Sequence, residues 1–285
     1  MKILITGANG QLAAEFRKSL AESHFRLTAL DRSQLDIADV NSVRGTLSSH
    51  KPDAVINCAS YNFVDKAEDD YQSAFTTNAE GVKNLASECR KNGTLLVHYS
   101  TDYVFDGKKE DFYTEEDNPA PINKYGLSKL EGERFLQEET DNFLLFRVSW
   151  VFGEGPQNFL YKLSGWARDK KILRVVCDQV SVPTYAGDIV NVTMFALGKD
   201  LKGVYHLTNS GYASRYEVAR YYLEKLGLDN LVLPVTSEFF PTAAKRPYFS
   251  ALSNQKLSQT LNIEIPDWRV GIDRYIEESM TGTQV

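Results

Sequence analysis

The chain has 285 residues, 42% of them apolar and 25% charged, enough for one large domain, or a domain with a smaller lobe, around a packed core. A net charge of −6 with no run of Lys or Arg excludes a nucleic-acid face or an anionic membrane surface as the expected partner. Three cysteines and four histidines show no metal-type spacing, so buried reduced thiols are expected. The chain begins MKILITG, a strand from its second residue, and no apolar run approaches the roughly 18 residues of a membrane span. No signal peptide is expected, and a cytoplasmic location follows as the expectation.

Short apolar runs predict strands over 2–6, 26–31, 53–58, 94–100 and 143–149. Amphipathic stretches between them predict helices over 11–22, 39–50, about 66–91 and 125–139. Near-continuous apolar strands alternating with helices predict an α/β fold with a doubly wound parallel sheet buried on both faces. After Ser149 the rhythm loosens, although 172–178 and 204–209 still read as strands returning to that sheet. The expected division is 1–150 plus about 172–206 for a dinucleotide-binding domain. The remainder, 151–171 plus about 207–285, forms a smaller substrate-binding lobe interleaved in sequence. The final MTGTQV is expected to fray.

The segment ITGANGQLAAEF places Gly7 and Gly10 between the first strand and the first helix. Glycine permits a tight turn and lets backbone N–H groups approach a pyrophosphate, while the helix N-terminus adds a positive dipole. Ala13 fills the third small position of the pattern. Asp31 follows Gly7 by 24 residues, about where an acidic side chain grips an adenosine ribose. It is read as that contact or as a turn cap, and Arg32 beside it suits a 2′-phosphate, so NADH and NADPH both remain candidates. Asp36 faces the same choice between the adenine and, with Asp39, capping the next helix. Together these features predict a Rossmann-type dinucleotide site.

Tyr125 and Lys129 stand four residues apart at the start of a helix and therefore on one face. A phenol with a pKa of about 10 is a poor proton donor or acceptor near neutrality unless its anion is stabilised, which a lysine one turn away can do. Thr101 ends the fourth strand, where open α/β sheets bind ligands. A substrate ketone there would accept hydrogen bonds from Thr101 and Tyr125.

These residues resemble the extended short-chain dehydrogenase/reductases. More narrowly, GANGQL, VDKAE, HYSTDYVFDG, PAPINKYGLSKLEGE, RVSWVFG, DQVSVPT, YHLTNSG and AAKRPYFS resemble the dTDP-4-dehydrorhamnose reductases, in order, from Met1 to about Trp268. That family reduces the 4-keto group of a dTDP-4-keto-6-deoxyhexose with NADPH or NADH. The resemblance implies that Gly10, Gln11 and Leu12 hold the pyrophosphate, Asp31 the ribose, and Asp36 and Ile37 the adenine. Ser60, Tyr61 and Asn62 would lie beside the cofactor, and Thr101, Tyr125 and Lys129 would be catalytic. Val64, Asp102 and Trp150 would line the sugar pocket, with Asn158 and Arg246 near the diphosphate. Trp150 reads alternatively as a core aromatic, and Arg246 as a surface ion pair.

Some relatives hold Mg²⁺ through acidic residues at a dimer interface. Glu15 and Glu278 match two such positions, but Gly187 replaces a third, so no metal is expected to be required. A homodimer is the expected assembly. SYN at 60–62 departs from the small residues of the family pattern. Dehydratases of the wider family carry an acid directly after Thr-Asp; Tyr103 stands there instead, which removes the general acid for elimination. A sister 4-keto-sugar reductase with another product, and a non-catalytic NAD(P)-binding regulatory subunit, are the alternative readings.

Overall fold

A computed structural model describes residues 1–281. The first half runs β1 (Lys2–Thr6), α1 (Gln11–Ser19), β2 (Arg26–Leu30), α2 (Val40–His50), β3 (Ala54–Asn57), α3 (Lys66–Asp69), α4 (Tyr71–Phe75), α5 (Gly81–Asn92) and β4 (Leu95–Thr101). It continues with α6 (Lys124–Glu139), β5 (Phe143–Val148), β6 (Val151–Phe152), α7 (Phe159–Asp169), β7 (Ile172–Val176), β8 (Val180–Ser181) and β9 (Thr184–Tyr185). The last elements are α8 (Ala186–Gly198), β10 (Gly203–His206), β11 (Ala213–Ser214), α9 (Arg215–Lys225), β12 (Leu231–Val235), α10 (Gln255–Leu261) and α11 (Trp268–Thr281).

Six strands form one parallel sheet in the order β2-β1-β3-β4-β5-β10. Alternate strand residues enter different cores, as the pleat requires. Ile3, Ile5 and Val97 pack in a cluster that includes Phe16 of α1 and Ile189 of α8, whereas Leu4, Val55 and Leu96 pack with Val43 of α2, Leu85 of α5 and Leu136 of α6. Both faces are covered, which explains why the strands read as continuous apolar runs. Strand order reverses between β1 and β3, and ligands of such sheets bind at that switch point beyond the strand C-termini. The expected α/β, Rossmann-type doubly wound sheet is therefore present.

Of the two strands expected to rejoin this sheet, only the segment beginning at Gly203 does so, as β10 beside β5. The other, β7, pairs in parallel with β12 instead. Its alternating exposed and buried residues suit a small sheet with one wet face, not the centre of a large one. Leu173 and Val175 join Phe152, Leu163, Trp268 and Ile272 in a separate core. The expected single helix over 66–91 is broken into α3 and α4, then a π-helical turn over Thr76–Glu80, before α5. Of the tail expected to fray, 282–285 lie outside the described residues.

Candidate active site

The loop after β1 is built for close approach. Gly7 has φ of +67°, and a Cβ there would lie 2.7 Å from the Ala59 backbone nitrogen, so a side chain is excluded both by conformation and by space. Gly10 caps α1, whose first turn carries no acidic residue to neutralise the helix dipole. The Gln11 side-chain nitrogen is buried without a hydrogen-bond partner and lines a cavity of about 320 Å³ with Gly10 and Leu12. An orphaned donor beside a helix N-terminus and a side-chain-free turn fits a pyrophosphate.

A second cavity of about 680 Å³ is lined by Gly7, Asp31, Arg32, Asp36, Ile37 and Tyr61, and it shares Gly10, Ser60 and Asn62 with the first. One continuous cleft thus crosses the switch point. Asp31 uses one carboxylate oxygen to accept from Ser33 N at 2.9 Å, the Ser33 hydroxyl at 2.6 Å and Gln34 N. Those Ser33 contacts hold its carboxyl below the usual range. Asp31 is therefore a turn cap and, at the same time, part of the cleft wall. Asp39 caps α2 through Asn41 N, while Asp36 accepts from Ala38 N and from Arg32 at 3.3 Å.

Thr101 and Asp102 close β4, and α6 is pulled against them. Asn123 caps α6 by accepting from Gly126 N at 2.7 Å. A Cβ on Gly126 would sit 2.2 Å from the Tyr103 carbonyl oxygen, so only glycine lets the helix start come this close. The Tyr103 and Tyr125 rings consequently meet edge-on, 6.0 Å between centroids. Tyr125, Thr101, Asp102, Lys129, Trp150 and Asn158 all line the 320 Å³ cavity. Val64 does not; it packs against a small cluster containing Tyr125, Ala67 and Ala74. Arg246 lines a different cavity of about 650 Å³ and pairs with Asp65 at 2.7 Å.

Electrostatics separate the roles. The Asp102 carboxylate, 2% exposed, accepts from Ser250 at 2.6 Å, Ser181 at 2.9 Å and Thr101 at 3.1 Å. Burial still outweighs these bonds and pushes its carboxyl up to about 6. Burial first, and the nearby Asp102 charge second, push the Tyr125 phenol well above its usual range. Its hydroxyl donates to the Asn62 side chain at 3.4 Å. The phenol therefore holds its proton at neutral pH, and it can give it up only where the anion left behind is stabilised, the part expected of Lys129. Burial brings the Lys129 ammonium down to about 8, with Glu133 opposing, and it donates to the Tyr99 carbonyl at 2.6 Å.

Several functional neighbours escaped the sequence reading. Asn78, 1% exposed in the π-helical turn, accepts from Tyr61 N and the Ser60 hydroxyl and donates to Tyr61 O and Ser128. It thereby pins the 60–62 segment, and π-turns recur at functional sites. In sequence it is one polar residue in a helical run, with nothing to mark it. Ser181 and Ser250 lay within quoted motifs but gained meaning only through Asp102. The Asn158 side chain caps α7 at Tyr161 N and donates to Gly153 O and Gly155 O, so its polar atoms are engaged. Burial raises the Cys58 thiol far above its usual range, so it keeps its proton at neutral pH.

The residues proposed for Mg²⁺ do not fit a divalent cation. The Lys18 ammonium pairs with Glu278, and Arg274 pairs with Asp188, the acid next to Gly187. Glu15 is buried and its carboxyl is raised by that burial. Among the described residues no three His, Cys, Asp or Glu side chains gather as a metal-binding group. No described helix is long and apolar enough to cross a membrane.

The family model described as RmlD substrate binding domain matches residues 1–281. The chain is 36% identical to the dTDP-4-dehydrorhamnose reductase of Burkholderia thailandensis over 299 aligned residues, covering 99% of this chain and 100% of that one. A crystal structure of a dTDP-4-dehydrorhamnose reductase from Clostridium acetobutylicum superposes with a TM-score of 0.95 at 37% identity, covering 98% of this chain and 100% of that one. The Bacillus anthracis enzyme of the same name, solved in complex with NADP, gives 0.95 at 34% identity over 97% and 99% of the two chains. With family pattern, fold and cleft in agreement over nearly every residue, the chain belongs to the RmlD substrate binding domain family, that of the dTDP-4-dehydrorhamnose reductases.

Proposed function

We infer that this chain is an NAD(P)H-dependent oxidoreductase that reduces the 4-keto group of dTDP-6-deoxy-L-lyxo-4-hexulose, giving dTDP-L-rhamnose. The observation that carries the reading is the convergence of Thr101, Tyr125 and Lys129 on one cavity continuous with the glycine-loop cleft. A nicotinamide held in that cleft would supply the hydride that reduces the ketone carbon. The Thr101 and Tyr125 hydroxyls donate to the ketone oxygen, and the proton of Tyr125 neutralises the charge that develops there. Burial and the Asp102 charge keep Tyr125 protonated, so it enters the reaction as the acid. Lys129, one helical turn on, is assigned to a cofactor ribose hydroxyl and to the tyrosinate left behind. Gln11 and the start of α1 are assigned to the pyrophosphate, and Asp31 to the adenosine ribose. Asp102 and Trp150 shape the sugar side, and Val64 packs behind Tyr125.

Residues 1–150 with α8, β10 and α10, which pack on the large sheet, are read as the dinucleotide region. The rest is read as the substrate lobe, to which β7 belongs by its pairing with β12. A cytoplasmic homodimer completes the reading; light scattering at about twice 32.1 kDa supports it, and a monomer refutes it. The deciding test supplies enzymatically made dTDP-6-deoxy-4-hexulose with NADPH or NADH, follows cofactor absorbance and identifies the sugar. One dTDP-L-rhamnose per cofactor oxidised is expected. Absence of turnover with both cofactors, or a different deoxyhexose, overturns the assignment.

A further inference from the structure

Arg215 begins α9 and occupies an unusual electrostatic position. Its guanidinium carbon lies 3.8 Å from the Trp150 ring centroid and 5.1 Å from that of Phe159. Arg147, Arg246 and Arg274 each face a carboxylate, on Glu133, Asp65 and Asp188 respectively. The Arg215 guanidinium makes no salt bridge or hydrogen bond among the described residues, and the Asp102 and Tyr103 charges act on it only through space. Cation–π contact offers about 0.5–2 kcal/mol. Withdrawing a charge from water costs several kcal/mol, so the stack alone does not account for a cation held there.

The cavity beside it supplies the missing reason. That space of about 650 Å³ is lined by Lys170, Arg174, Arg215 and Arg246, with no carboxylate on its wall, in a chain of net charge −6. Phe239, Phe240 and Trp166 add aromatic surface to the same wall. Cations beside aromatic rings suit a ligand that joins an anion to a planar base. Trp150 lines the catalytic cavity while Arg215 lines this one, so their stack is a shared wall. Trp150 also holds a left-handed backbone, φ +41°, a strained conformation for an aromatic residue and one that clusters at ligand sites.

We propose that Arg215 is a specificity-determining residue that binds the diphosphate of the nucleotide-sugar substrate, with Arg246 at the far side of the anion. The inference rests on the substrate class proposed above. Through the stack, gripping the diphosphate also fixes Trp150 and hence the sugar's position over Thr101 and Tyr125. Arg246 already shares its charge with Asp65, and Lys170 and Arg174 are exposed, which leaves Arg215 as the partly buried cation on this wall without a salt bridge.

The test measures the affinity of dTDP for the NADPH-bound full chain in wild type, R215M and R215K, with NADPH affinity recorded separately. R215M keeps a long side chain against Trp150 but removes the charge, and R215K restores the charge without the planar fork. The expected result is dTDP binding weakened about 10- to 100-fold in R215M and less in R215K, with NADPH affinity unchanged. The salt dependence of dTDP binding should also become shallower in R215M, because one fewer cation meets the phosphates. Wild-type dTDP affinity in R215M, or equal losses in R215M and R215K, overturns the proposal and leaves Arg215 as packing. A wild-type protein that neither binds dTDP nor reduces the keto-sugar overturns the substrate assignment itself, and the proposal with it.

Discussion

Replacing Asp102 with Asn isolates the cost of the carboxylate at the centre of the site. The carboxyl is pushed up to about 6 from an ordinary value of 3.8 because burial outweighs the hydroxyls of Ser250, Ser181 and Thr101. A group whose folded pKa lies above its unfolded pKa holds its proton more tightly in the fold. Its charge therefore has no effect on stability below about pH 4, and it lowers stability progressively as pH rises through about 6. The gap of about 2 pH units, at 1.36 kcal/mol each, is worth about 3 kcal/mol. Asparagine keeps the shape without the charge, and the serine hydroxyls can turn to accept from its amide. Denaturant unfolding of the ligand-free wild type and D102N, compared at about pH 4 and about pH 7, should show the variant gaining about 3 kcal/mol relative to wild type over that interval. The constant offset from the altered hydrogen bonds is about 1 kcal/mol and cancels in the comparison. A stability difference that stays flat across the interval refutes the claim that this carboxylate is held against its solvation preference.

Tyr125→Phe removes the proton donor and one weak bond to Asn62, so turnover of the keto-sugar should fall roughly 10²–10⁴-fold while the unfolding midpoint stays near wild type. Wild-type-like turnover would sink the mechanism. Because burial brings Lys129 down to about 8, its ammonium loses its proton as pH rises through that value; kcat/KM should break downward there, and a profile flat to about pH 10 contradicts the role. Gly7→Ala places a methyl against the Ala59 backbone at a positive φ, so it should lower stability by at least about 1–2 kcal/mol and weaken NADPH binding, checked by thermal melts and titration. An unchanged melt would show that the loop can yield.

The β strands of the sheet were legible because burial on both faces makes them continuous apolar runs, and β1 falls where the pattern places it. Tyr125 and Lys129 were legible because helical geometry converts a spacing of four into one face. The fate of 172–178 was not legible. A short apolar run does not say which sheet it joins, and β7 is decided by its partner β12, about 60 residues away in sequence. The helix expected over 66–91 hid its π-turn for a similar reason: the irregular turn serves Asn78's bonds to the distant 60–62 segment and Ser128.

The sequence alone determined the sheet class, the glycine turn, the strand-end threonine and the tyrosine–lysine face, since each depends on residues close along the chain. Tertiary structure alone decided the protonation of those groups. Asp102 is raised by burial and restrained by Ser181 and Ser250, from segments about 80 and 150 residues away, and Tyr125 is shifted in turn by Asp102. Arg215 likewise lacks a salt bridge among the described residues because the fold stacks it on Trp150, with the Asp102 charge acting on it only through space. Desolvation and charge act through space across many residues, so a local pattern identifies the groups while the packed fold sets what each can do.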